Sequence, residues 1–212
     1  MNIAPELSLV VGIDGSGKST FLQMLETNMG AVIMEPTSSP EARAFKASNL
    51  ETPVDTTFIN ERERIYLNLN QEFDTRLEDA IESGQRVATT GSRLVTLLSH
   101  ELMRTVITDK PRTSLPDLIG TWAGDASLKP EALAFVHAPA EVIRGRITAR
   151  QMAGDTSEVF WGFNAPHFLW RYQDAWHEAV DTITKESDIN CLKLDSSKLT
   201  PNEMLDLYQD SV

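Results

Sequence analysis

Short apolar runs alternate along the chain with longer stretches whose apolar residues recur every three or four positions, the pattern of strands alternating with helices. Leu7-Ser8-Leu9-Val10-Val11, Ala31-Val32-Ile33-Met34, Gln85-Arg86-Val87-Ala88-Thr89-Thr90, Ala132-Leu133-Ala134-Phe135-Val136 and Ile189-Asn190-Cys191-Leu192-Lys193-Leu194 read as five strands. Helical spacing begins at Thr20-Phe21-Leu22, at Glu41 (ending near Asn49 to Pro53), after Arg93, near Ala140 and at Pro201. The longest helical stretch runs from Asp55 to Ser83, with Phe58, Ile65, Leu69, Phe73, Leu77 and Ile81 on one stripe and Gly84 ending it. Between Thr108 and Gly124, Pro111 and Pro116 interrupt the pattern, which reads as loop plus a short helix. Phe168, Tyr172 and Trp176 fall four apart and read as core, whereas Trp161 and Phe163 beside Gly162 suit either core or stacking on a base. The alternation predicts a single α/β domain over residues 1–212: a five-stranded parallel sheet flanked by helices, binding ligands where loops leave the carboxyl ends of the strands.

The first strand-to-helix turn supplies the chemistry. Gly12-Ile13-Asp14-Gly15-Ser16-Gly17-Lys18-Ser19-Thr20 fits a glycine, four residues, glycine, lysine and serine, between a strand and a helix. Glycines let successive backbone N–H groups converge, and the following helix adds the positive end of its dipole, which makes an anion cradle. Lys18 is expected against the β- and γ-phosphates of ATP, with the Ser19 hydroxyl on Mg²⁺.

Composition narrows the surroundings of this site. The 212 residues are 41% hydrophobic and 24% charged, ordinary for a globular chain. No apolar run approaches a membrane span and residues 1–6 do not resemble a signal peptide, so a cytoplasmic protein with no membrane partner is expected. The lone Cys191 reads as core, in keeping with a reducing compartment. A formal charge of −12 weighs against broad electrostatic binding of nucleic acid, and no zinc-type spacing appears.

Further candidates lie at the strand exits. Glu35-Pro36-Thr37 and Gly91-Ser92-Arg93 follow the second and third strands, where a second substrate would bind. Thr96, Ser99, His100 and Glu101 either face that site or solvate their helix. Phe58 and Arg62, four apart, either hold a planar base or serve as core and surface charge. Arg146 and Arg150 share a face and either reach a triphosphate or solvate their helix, and residues from about 150 to 158 read as a lid.

The order of elements and these motifs resemble the thymidylate kinase family over most of the chain. The resemblance implies a P-loop kinase with ATP and Mg²⁺, Asp14 near the metal and the acceptor sugar, and Glu35-Pro36-Thr37 as the counterpart of an Arg-Glu-Pro loop. Phe58 would stack on thymine, Arg62 would bond its carbonyl edge, Arg93 would face the acceptor, and Arg150 would act from the lid; His100, from its place on the helix after Arg93, is kept beside these as a candidate substrate residue. It implies dTMP as the pyrimidine deoxynucleotide phosphorylated to dTDP, and a homodimer. Met34 stands where that family has arginine, Gly91-Ser92-Arg93 lacks the aspartate of its Asp-Arg-Tyr motif, and His137 falls near a position that is often acidic. These departures motivate an alternative, resembling viral kinases that phosphorylate the hydroxymethyl group of 5-hydroxymethyluracil in DNA. A non-catalytic nucleotide switch is a third reading, although the chain has no Asn-Lys-x-Asp guanine-reading motif.

Overall fold

The computed structural model describes residues 6–36, 40–48, 54–110, 113–124, 129–154 and 166–212. The expected five strands form one all-parallel sheet, β1 (Leu7–Val11), β2 (Val32–Ile33), β3 (Val87–Thr89), β4 (Ala132–His137) and β5 (Asn190–Asp195), in the order β2-β3-β1-β4-β5. β1 is central, pairing Leu9 with Thr89 of β3 and with Leu133 of β4. Helices cover both faces, which is why β1 and β4 are almost wholly apolar rather than alternating.

Strand alternation divides the core. Leu7, Leu9 and Val11 face α3 (Thr56–Glu82), α4 (Arg93–Thr108), α6 (Ala140–Met152) and α7 (Pro166–Glu186), packing with Phe73, Leu77, Leu98, Ile143 and Val180. Val10 faces α1 (Lys18–Met29) and α8 (Pro201–Ser211), among Phe21, Leu25, Met204 and Tyr208. Ser8 is the one polar residue of β1, and its hydroxyl pairs with the Tyr208 hydroxyl at 2.6 Å.

The long central helix forms as its spacing predicts. Asp55 caps α3 by accepting from the Phe58 N–H at 2.8 Å, and Gly84 beyond its end takes a left-handed φ of 78°. Its length carries it beyond the sheet, where it packs along α4 and leaves room above the carboxyl ends of the strands.

β2 is shorter than the sequence reading, the expected short helix after Pro111 is present, and the expected end of α2 lies outside the described residues. β2 is only two residues at the sheet edge, because Val32 is exposed and offers little burial. The interval after Pro111 holds a ten-residue helix, α5 (Leu115–Gly124), since Pro116 sits in its first turn, where no N–H is needed, and Ser114 accepts from the Asp117 N–H. α2 covers Pro40–Ser48, with the expected end at 49–53 outside the described residues. Trp161, Phe163 and residues 155–158 of the expected lid also lie outside them. No helix among the described residues is long and apolar enough to cross a membrane.

Candidate active site

The turn from β1 to α1 is built as an anion cradle. Gly12 has φ 144°, and a Cβ there would stand 2.2 Å from the Val136 carbonyl oxygen, so only glycine lets the loop lie against β4. Gly17, also left-handed, caps α1, whose first residue is Lys18. The Lys18 ammonium folds over the loop and donates to the carbonyls of Gly12 at 2.9 Å and Ile13 at 3.0 Å, with the Asp14 carboxylate at 3.4 Å. Ser19 and Thr20 are exposed on the first turn of α1. Asp14 and Glu35 line the cavity beside the loop, and with the exposed Ser19 hydroxyl they are hard oxygen donors of the kind Mg²⁺ takes, although no preformed cluster of His, Cys, Asp or Glu exists among the described residues.

Arg146 behaves differently from its expected role near a triphosphate. Its guanidinium donates to the carbonyls of Gly15 at 3.2 Å and Ser16 at 3.3 Å, to the Ser196 hydroxyl at 2.8 Å and to the Ser196 carbonyl at 2.9 Å. It thus holds the outer side of the loop against the turn after β5. Arg150, one turn further, is exposed at the end of α6.

Beside the loop a cavity of about 420 Å³ opens over the carboxyl ends of β1 and β3, within the range of small-molecule sites. Gly12, Ile13, Asp14 and Lys18 form one side, Glu35, Pro36, Thr90 and Gly91 another, and α3, α4 and α7 the rest. Gly91 is tightly placed, since a Cβ on it would come 2.5 Å from Cγ of Pro36. The stripe Phe168, Tyr172 and Trp176 is core as predicted, and the same residues wall the cavity. Burial pushes the Tyr172 phenol up to about 12, so it stays protonated.

Two expected acceptor residues sit elsewhere. Phe58 is 4% exposed and packs on Phe45 of α2, with ring centroids 5.2 Å apart, rather than facing the cavity. The aromatic that α3 brings to the cavity wall is Tyr66, two helical turns later, and Asn70 follows it at the spacing expected of Phe58 and Arg62. Arg93 is exposed at the start of α4, its N–H donating to the Asp74 carboxylate, and it is not part of the wall. The loop presents Thr90 and Gly91 there instead, because the Thr89 hydroxyl bonds both the Gly91 N–H and its carbonyl and turns the chain early.

Arg62 is on the wall as expected, its guanidinium 4.4 Å from the centroid of the Tyr66 ring. His100 lies one layer behind it, fully buried, with Nε2 2.7 Å from Arg62 and Nδ1 2.6 Å from the Thr96 carbonyl. Asn70 was not singled out from sequence. Its amide N–H group donates to the Ser92 carbonyl and the Thr96 hydroxyl, which leaves its oxygen buried with no hydrogen bond among the described residues. A polar residue in an otherwise apolar helical stripe was the one available signal.

No family profile and no curated protein sequence matches this chain. Solved structures do match over its whole length. A deoxyadenosine kinase from M. mycoides with bound dATP is similar at a TM-score of 0.67 and 12% identity, covering 97% of this chain and 98% of the other. A thymidylate kinase from Candida albicans is similar at 0.65 and 18% identity, covering 97% and 90%. The fold is that of the P-loop kinases. The strand order and the glycine-rich turn between β1 and α1 belong to that architecture.

Proposed function

We propose that this protein is an ATP-dependent phosphotransferase whose acceptor carries a thymine-like base. The observation that carries the reading is the cavity itself: a space the size of a nucleoside, walled by Phe168, Tyr172 and Tyr66, opens onto Asp14 and Lys18 of the phosphate loop. Donor and acceptor would meet there in line, and phosphoryl transfer depends mostly on such positioning and on cationic charge around the transferred group. Lys18 would bind the β- and γ-phosphates. Ser19, with Asp14, would hold Mg²⁺, which when bound neutralises phosphate charge, and Glu35 would orient the acceptor. Tyr66 and Tyr172 offer aromatic faces to a planar base, and Arg62 offers N–H donors to its carbonyl edge.

Two acceptors fit this frame. One is dTMP, giving dTDP, as the likeness to a thymidylate kinase suggests. The other is a hydroxyl group, either that of a deoxynucleoside or the hydroxymethyl of 5-hydroxymethyluracil in DNA. Two carboxylates on the wall favour the hydroxyl: Asp14 and Glu35 repel an acceptor phosphate, whereas either can take the proton of an attacking alcohol. In that step the hydroxyl oxygen bonds to the γ-phosphorus, the bond to the β–γ bridging oxygen breaks, ADP departs and the proton passes to Glu35.

Glu35→Gln separates the two. Loss of a general base lowers kcat for an alcohol acceptor by about 100-fold or more. A phosphate acceptor needs no such base, so turnover of dTMP by the variant at or above the wild-type rate would assign the acceptor as the mononucleotide. ATP consumption that never depends on thymidine, dTMP or hydroxymethyluracil DNA would overturn the kinase reading itself.

A further inference from the structure

Arg62 presents its guanidinium to the cavity from the first half of α3, and a long side chain in such a place has many rotamers available. Three contacts remove that freedom. The guanidinium lies over the Tyr66 ring at 4.4 Å, one of its N–H groups points to Nε2 of His100 at 2.7 Å, and the His100 ring is itself held by the Thr96 carbonyl at 2.6 Å from Nδ1.

The chemistry of these partners fixes where the protons are. An arginine can only donate, so Nε2 of His100 must accept. A carbonyl can only accept, so Nδ1 must carry the hydrogen. His100 is therefore a neutral imidazole in its Nδ1–H form, and its environment supports this. It is fully buried, and it faces two cations, Arg62 from α3 and Arg104 from its own helix. The other groups around it are the Tyr66 phenol on α3, Thr96 and Ser99 on α4, and Tyr172 of α7, which bonds the Ser99 carbonyl. The Glu63 and Glu101 carboxylates are engaged by Arg104. Burial and Arg62 hold the imidazole well below its ordinary range.

We infer that His100 is a positioning residue, a fixed relay from the Thr96 carbonyl to the Arg62 guanidinium that sets the orientation of that guanidinium on the wall of the acceptor cavity. This role rests on the proposed acceptor cavity and adds to it a residue that never touches substrate. The relay residues sit on α3 and α4, His100 and Thr96 on α4 and Arg62 on α3, and only the Arg62 end feels the charge of Asp14 in the Gly12–Lys18 loop. The cost of the relay is that a buried polar chain is useful only when complete.

The test has two arms. With four histidines in the chain, long-range proton–nitrogen spectra of the wild type, assigned with His100→Gln, report the His100 tautomer directly. The Nδ1–H form with an accepting Nε2 is expected, changing toward a mixture in Arg62→Ala. The Nε2–H form, or a tautomer indifferent to Arg62→Ala, would overturn the relay.

In the kinetic arm, His100→Leu raises KM for the accepted substrate, dTMP or thymidine, by about tenfold, the scale of one charge-assisted hydrogen bond, with KM for ATP unchanged. His100→Gln restores most of the loss, since its side-chain oxygen can accept from Arg62. His100→Leu added to Arg62→Ala costs nothing further. Equal losses toward ATP and acceptor, or full additivity of the two substitutions, would overturn the inference. A wild type with the expected tautomer that transfers phosphate to no acceptor supports the relay and overturns only the proposed function.

Discussion

Single residues decide what the cavity can hold, and the most informative of them is His100. Its neutral state has a consequence for stability. As pH falls below about 6.5 the unfolded imidazole takes up a proton that the folded one refuses, so the unfolded state gains and the protein loses up to about 1.4 kcal/mol per pH unit. The contribution is whole above the unfolded value and is lost as pH drops toward the depressed folded one. His137 and His177, also lowered by burial, add to the same slope. Melting temperature measured from pH 7 to 5 should therefore decline less steeply in His100→Gln than in the wild type, and parallel declines would contradict a buried neutral imidazole. The contrast of Phe58 with Tyr66 shows what spacing alone conveys. An aromatic with a polar partner four residues on occurs twice in α3, as Phe58 with Arg62 and as Tyr66 with Asn70. Both aromatics lie on the buried stripe, but α2 covers Phe58 and nothing in the local pattern says so. Of the expected acceptor residues, Glu35 and Arg62 were placed on the cavity wall by a strand exit and a helix face. Arg93 was not, because a side-chain turn at Thr89 redirects the loop before it.

Between elements, the α3–α4 pair carries the upper part of the site and is stitched by charge. Arg104 donates to Glu63 and Glu101 at 2.7 Å each and to the Asn60 amide oxygen at 2.9 Å, and Glu101 also accepts from the Thr113 N–H at 3.0 Å. All three charged side chains are less than a tenth exposed. From sequence, Glu61, Arg62 and Glu63 look like one solvated run. The structure buries Glu63 and half-buries Arg62 because α3 is enclosed between α2 and α4. Removing one member of such a network leaves the others buried and uncompensated, so Glu63→Ala is expected to cost about 3 to 5 kcal/mol in urea unfolding. A loss below 1 kcal/mol would mean the network is hydrated and the two helices are held by apolar contacts alone. The loops at the sheet are joined more tightly still. Gly91→Ala places a methyl on Pro36 and must displace the Glu35 loop, so acceptor KM rises while nucleotide binding by the loop at Gly12–Lys18 is kept. Equal activity of this variant would show that the Glu35 loop moves freely.

Across the whole molecule, strand order and ligand position follow from an alternation that the sequence displays openly. Five apolar runs, each followed by helical spacing, leave few arrangements other than a parallel sheet with both faces covered, and the phosphate loop then falls at the carboxyl end of the central strand. The cavity was less legible, because its walls come from α3, α4 and α7, residues more than a hundred positions apart whose meeting depends on packing rather than on any local pattern. Solved kinases with this fold include one named for a nucleoside and one named for a mononucleotide, so the fold by itself does not choose the acceptor. The measurement that bears most directly on the proposed activity follows the γ-phosphoryl group of labelled ATP in the presence of thymidine, dTMP or DNA containing hydroxymethyluracil, with Lys18→Ala as control. The account predicts label on one of these acceptors, lost in Lys18→Ala. Label released only as inorganic phosphate, or transfer that survives Lys18→Ala, would contradict it.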